Sequence, residues 1–151
     1  MSVEKARDEA ARWLGQARAD LKAAQASLSA GVHEWSCFQA QQAAEKALKA
    51  FWYHNDEEPW GHSTLRLIED YPDQEAAADL AALADNARVL DKLYIPIRYP
   101  SGLPDSIPAE VYTRDEAAHA IDKAREIVSA VARLIEETSG ARSPEAESPS
   151  S

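Results

Sequence analysis

The chain has 151 residues, one cysteine, and 26 acidic against 16 basic side chains, for a formal net charge of -10. That length suits one domain with a core of its own. A lone cysteine excludes an internal disulfide framework and a cysteine-built zinc site, and the acidic balance argues against indiscriminate binding to a phosphate backbone. No apolar run approaches the roughly 20 residues of a membrane helix, the first residues are charged rather than signal-like, and Cys37 suits a reducing, cytoplasmic location.

Helical periodicity begins at once. Ala10, Leu14, Ala17, Leu21, Ala24 and Leu28 step by alternating fours and threes, one stripe of a long first helix. Gly31 supplies its stop. Cys37, Gln41, Ala44, Leu48 and Phe51 repeat the spacing in a second helix, with Trp35, Phe38 and Trp52 thickening its apolar side. Residues 62–71 read as a short helix capped by Ser63. Asp73 caps the entrance to a third stripe, Ala76, Leu80, Leu83, Ala87, Leu90 and Tyr94. The fourth, Ala117, Ile121, Ala124, Val128, Val131 and Ile135, follows a capping box made by Thr113 and Glu116.

Two segments leave the pattern. Residues 95–112 carry Pro96, Pro100, Pro104 and Pro108 and are expected to form a non-helical loop. Ile95, Ile97, Tyr99, Leu103 and Ile107 argue that this loop packs down. Residues 139–151, rich in Ser, Pro and Glu, read as a disordered tail, which leaves 1–138 as the domain. The expected fold is all-α, an up-and-down helical bundle of four long helices plus one short helix, with alanine seams that let helix axes approach closely.

Gln41 is the one polar residue in the second stripe, and a buried amide needs its hydrogen bonds made. It is either a core amide that sets helix register or the edge of a polar pocket. Glu45 and Lys49 follow at one-turn intervals and read as a favourable surface pair.

Trp13, Ala19-Asp20-Leu21, the string from Cys37 through Gln41, Glu45 and Lys49 to Ala50, His62-Ser63 and Arg98-Tyr99-Pro100 together resemble the HEPN family (higher eukaryotes and prokaryotes nucleotide-binding) from about Trp13 to Ile135. The resemblance implies a helical bundle, often a homodimer. In bacteria and archaea such a protein is often encoded beside a minimal nucleotidyltransferase as a toxin-antitoxin-like pair. Many members are metal-independent ribonucleases with an Arg-x(4 to 6)-His motif, whose two side chains would serve proton transfer and charge stabilisation.

Arg98 has Leu103, Pro104 and Asp105 where that histidine would stand. Arg114 and His119 do fit the spacing, which arises readily by chance in a chain with ten arginines and four histidines. Arg98 and Tyr99, a guanidinium and a ring on a proline-bounded loop, suit phosphate and base, or else Arg98 ties the loop to carbonyls or to Glu45. His62 and Ser63 at a helix start either cap it or face an anion. His54, Asp56, Glu57 and Glu58 crowd one turn without metal-ligand spacing, so no metal and no cofactor is expected. Trp52 and Trp60 read as cover for the core.

The reading is a cytoplasmic HEPN-like homodimer acting with a nucleotidyltransferase partner. Gln41, Glu45, His62, Arg98 and Tyr99 line a groove for nucleotide or RNA, and no membrane is involved. The alternatives are an endoribonuclease toxin using Arg114 and His119, and a structural dimerisation module without ligand.

Overall fold

The computed structural model describes residues 2–94 and 97–141, and among them every regular element is helical. Helix α1 (Val3–Ser29) opens on Ser2, whose hydroxyl accepts from the Lys5 N–H at 3.1 Å. It ends before Gly31, where φ is +79°, a left-handed turn that glycine makes without Cβ strain. Helix α2 (His33–His54) then returns along it. Gln39 meets Ser27 at 2.7 Å, Lys46 meets Asp20 at 2.6 Å, and the Tyr53 and Trp13 rings lie 5.4 Å apart. Partner numbers fall by one heptad as α2 numbers rise by one, so the two helices are antiparallel.

Helix α2 is the centre of the molecule. Ala40, Ala43, Ala44, Ala47 and Ala50 are all fully buried, because α1 packs on one side and α7 (Arg114–Ala141) on another. Small side chains on the middle helix permit that double approach. The capping box that opens α7 is complete. The Thr113 N–H donates to Glu116 Oε1 at 3.0 Å, and the Glu116 N–H donates to Thr113 Oγ1 at 3.1 Å. Ala117, Ile121, Ala124, Val128 and Val131 of the expected stripe are buried. The helix runs on to Ala141, three residues into the segment assigned to the tail, and 142–151 lie outside the described residues.

The third stripe is carried by two consecutive pieces, α4 (Ala78–Ala81) and α5 (Ala84–Asp91). Between them the Leu83 N–H bonds Leu80 O at 2.8 Å, an i to i-3 closure that tightens the chain without breaking the stripe. Leu80, Ala87 and Leu90 are buried while Ala76 is exposed. Asp73 does cap this region, accepting from the Glu75 and Ala76 N–H groups at 3.1 Å each.

The short helix α3 (Thr64–Glu69) has Ser63 as N-cap, accepting from the Arg66 N–H at 3.0 Å. A carboxylate, unforeseen in the sequence, clamps the same end. Asp91 Oδ1 accepts from the Thr64 N–H and Oγ1, both at 2.7 Å, and Oδ2 accepts from Ser63 Oγ at 2.6 Å and the Leu65 N–H at 3.2 Å. The positive end of a one-and-a-half-turn helix is thereby neutralised by the protein's own carboxylate, and of the two readings of His62-Ser63 the capping one describes Ser63.

The proline-rich loop also departs from expectation. It is not free of helix: a 3-10 turn (Pro100–Gly102) and one α turn, α6 (Pro108–Val111), each start on proline, where the missing N–H has no partner to lose. Ile97 is buried and Leu103 half-buried, but Tyr99 and Ile107 are exposed; Ile95 and Pro96 fall outside the described residues. Trp52 is core as expected. Trp60 is not: it stands 75 % exposed, and Trp35 is exposed too. Among the described residues no helix is long and apolar enough to cross a membrane.

Two outcomes test this framework. Asp91→Ala leaves the Thr64 and Leu65 N–H groups short of an acceptor, while the Thr64 hydroxyl keeps the Ala87 carbonyl at 3.0 Å, and should cost about 2 kcal/mol in chemical denaturation, against about 1 kcal/mol for Ser63→Ala. Burial, with the Glu116 and Glu34 charges adding, pushes the fully buried Cys37 thiol up to about 12. Folded protein should therefore resist iodoacetamide at mildly alkaline pH and react promptly once unfolded in urea.

Candidate functional site

Gln41, Glu45 and Lys49 follow one another at one-turn intervals on α2, and the first two reach His62 in the loop that leads into α3. Gln41 is 0 % exposed and Glu45 only 4 %, so each must find partners inside the protein. Gln41 Nε2 donates to Glu45 Oε1 at 3.2 Å and to His62 O at 3.3 Å, and its Oε1 accepts from Gln42 Nε2 at 2.7 Å. Glu45 Oε2 accepts from Lys49 Nζ at 3.1 Å and sits 3.2 Å from His62 Nδ1. A carboxylate can only accept, so the Nδ1 hydrogen of His62 points inward and Nε2 is the nitrogen left for other contacts.

Lys49 is not the solvent-facing half of a surface pair that its spacing predicts. Its side chain is 12 % exposed, and its ammonium lies 5.8 Å from the centre of the Trp13 ring. Two opposite charges are thus held together in a poorly solvated place, where losing either one strands the other.

His62 connects this buried network to the surface. Its side chain is 60 % exposed, and its ring stacks on Tyr94 with centroids 5.1 Å apart and planes 19° from parallel. Tyr94 also lies against Phe38 at 6.2 Å. The Arg98 guanidinium completes the assembly, lying 4.6 Å from the Phe38 ring centre, 4.8 Å from that of Tyr94 and 5.4 Å from that of Tyr99. Its Nε donates to Tyr94 O at 3.2 Å. Among the described residues this carbonyl, rather than Glu45, is what holds it.

Three of the five groove residues named from the sequence therefore reach one surface patch by contact, His62, Arg98 and Tyr99, with Glu45 and Gln41 buried beneath as the groups that fix His62. The sequence reading missed Tyr94, because its place in an apolar stripe reads as core, and Phe38 for the same reason. The signal that could have found Tyr94 is its position just past the end of α5, beside a proline-bounded loop carrying an arginine. Arg114 and His119 are placed elsewhere. Both are exposed on α7, five residues apart and so on diverging sides of the helix, with no described bond to the patch. His54 is buried on α2 while Asp56 and Glu58 are exposed, and among the described residues no group of three or more His, Cys, Asp or Glu could hold a metal ion.

Comparison with known proteins places the fold. The family model described as HEPN domain matches residues 10–135. Among solved structures, TT1696 from Thermus thermophilus is 44 % identical, with a TM-score of 0.77 over 83 % of this chain and 98 % of that one. ST0689, an archaeal HEPN homologue, is 35 % identical, with a TM-score of 0.70 over 84 % of this chain and 98 % of that one. Human Sacsin is 30 % identical over 122 residues, which is 76 % of this chain but 3 % of Sacsin's length.

The Glu45 network carries a stability prediction. Glu45→Gln removes the counter-charge of a nearly buried lysine and should lower stability by about 3 kcal/mol in urea denaturation. Gln41→Leu, which leaves that ion pair in place, should cost less.

Proposed function

The chain belongs to the HEPN domain family, and from that premise we propose that it binds a nucleotide or a short stretch of RNA on the face formed by His62, Tyr94, Arg98 and Tyr99. One observation carries the reading: a guanidinium enclosed by three aromatic rings, one of them, Tyr99, 52 % exposed. Arginine held flat by rings keeps its donor edge free for a phosphate. An exposed tyrosine beside it offers a face for a base. His62 adds a ring whose inner nitrogen is committed to Glu45, leaving Nε2 for a ligand hydroxyl or phosphate oxygen.

The family resemblance further supports a homodimer working beside a nucleotidyltransferase in a toxin-antitoxin-like pair in the cytoplasm. Co-expression with a neighbouring nucleotidyltransferase gene, followed by co-purification, tests that part, and an isolated gene would count against it.

The ligand part is tested by calorimetric titration of mononucleotides and short RNAs. Wild-type protein should show saturable binding, weakened about tenfold or more by Arg98→Ala and by Tyr99→Ala, with unchanged circular dichroism. No heat from any of these ligands would sink the reading. RNA degradation abolished by Arg114→Ala or His119→Ala would instead favour the ribonuclease.

A further inference from the structure

His62 has a second neighbourhood. On the side of α2 towards α3 it lines a cavity of about 150 Å³ together with Trp52, Trp60, Ser63, Arg66 and Asp70. One wall is rigid: Trp52 Nε1 donates to Leu67 O at 2.8 Å, and its ring stands edge-on to Tyr71 at 5.4 Å. The other wall is Trp60, the most exposed large apolar side chain among the described residues. Its position is built rather than frayed. Pro59 before it is buried, and Gly61 after it takes φ +84°, a turn that glycine makes without Cβ strain and that follows the outward-turned indole.

We propose that this cavity is a second base-stacking subsite, so that the ligand is a single-stranded oligonucleotide rather than a lone nucleotide. The inference rests on the reading of the His62, Tyr94, Arg98 and Tyr99 face as a nucleotide site. Continuity supports it: His62 stacks on Tyr94 and also lines the Trp60 cavity, so one side chain joins the proposed nucleotide face to the cavity, and stacking surfaces in sequence suit the successive bases of a strand. The polar rim fits the same occupant. Arg66 is exposed and only loosely paired with Asp70, at 4.0 Å, which leaves it donors for a backbone phosphate. Asp70 offers an acceptor for an exocyclic amino group of a base. The acidic run Asp56, Glu57 and Glu58 just before Pro59 opposes a phosphate and would welcome a basic protein segment instead, so the test includes that competitor.

The probes are AMP, hexaadenylate and hexalysine, titrated against wild type, Trp60→Ala, Trp60→Phe and Arg98→Ala. Hexaadenylate should bind wild type about tenfold or more tighter than AMP. Trp60→Ala should bring hexaadenylate down to the AMP level while leaving AMP unchanged, Trp60→Phe should retain most of the gain, and Arg98→Ala should weaken both. If AMP binds and depends on Arg98 but Trp60→Ala leaves hexaadenylate unaffected, the second subsite is wrong and the nucleotide reading stands. If neither AMP nor hexaadenylate binds, both fall. Trp60-dependent binding of hexalysine in place of hexaadenylate overturns the subsite in favour of a protein-docking one. Because Trp60 is exposed, its replacement should leave the melting temperature unchanged, which keeps the comparison interpretable.

Discussion

A carboxylate removed from water has to be surrounded by donors, and in this protein Glu45 imposes that requirement on everything near it. It is carried on the central helix, between two helices that approach closely because α2 is lined with alanine. The donors come from three directions. Gln41 lies one turn below, Lys49 one turn above, and His62 arrives from the loop that follows α2. The first two are local consequences of helix spacing. The third is a tertiary constraint, because it fixes where the chain enters α3 and so where the surface patch begins. Gln41 reinforces it by donating to the His62 carbonyl, so the histidine is held by backbone and side chain at once.

Asp91 does the complementary task from the opposite side. Its four bonds go to Ser63, Thr64 and Leu65, and the segment 62–65 is therefore pinned between two carboxylates from different helices. Three residues past Asp91 comes Tyr94, which stacks on His62 and accepts from Arg98 through its carbonyl. The end of α5 thus positions both faces of the patch. This explains how an irregular loop can present Arg98 in a defined place. The guanidinium is located by the Phe38 ring on α2 and by the ring and carbonyl of Tyr94, three residues past the end of α5, with the neighbouring Tyr99 ring as a third contact.

The fold was legible because its information is periodic. The stripes of α1, α2 and α7, the Thr113–Glu116 capping box and the Ser63 cap all came from spacing and were found in place. The site was legible only in part, and the reason is physical. Gln41, Arg98 and Tyr99 stand out in sequence as polar or unusual residues in the wrong surroundings. Tyr94 and Phe38 do not, since an aromatic ring at a stripe position has the same sequence signature whether it fills the core or lines a surface. Asp91 is harder still: a charged residue at the end of a helix reads as solvated, and its value lies wholly in a helix start 27 residues earlier in the chain. Trp60 failed in the opposite sense, because a tryptophan beside a proline in a turn reads as core cover, whereas here the proline is buried and the indole exposed.

The net charge of -10 stands against the anionic ligand proposed for the Arg98 face, and the conflict resolves on length scale. Exposed charges are screened beyond about 8 Å at physiological ionic strength, so distant carboxylates contribute little at the patch, whereas Arg98 acts at contact distance. Its own position matters more than the total. Packed against Phe38 and Tyr94, the guanidinium is partly stripped of water before any ligand arrives, which strengthens each bond it makes to a phosphate. Under the proposed reading the acidic surface would act as a filter: it offers no broad electropositive field to draw in duplex nucleic acid, and would leave binding to depend on rings that need an unpaired base to stack on.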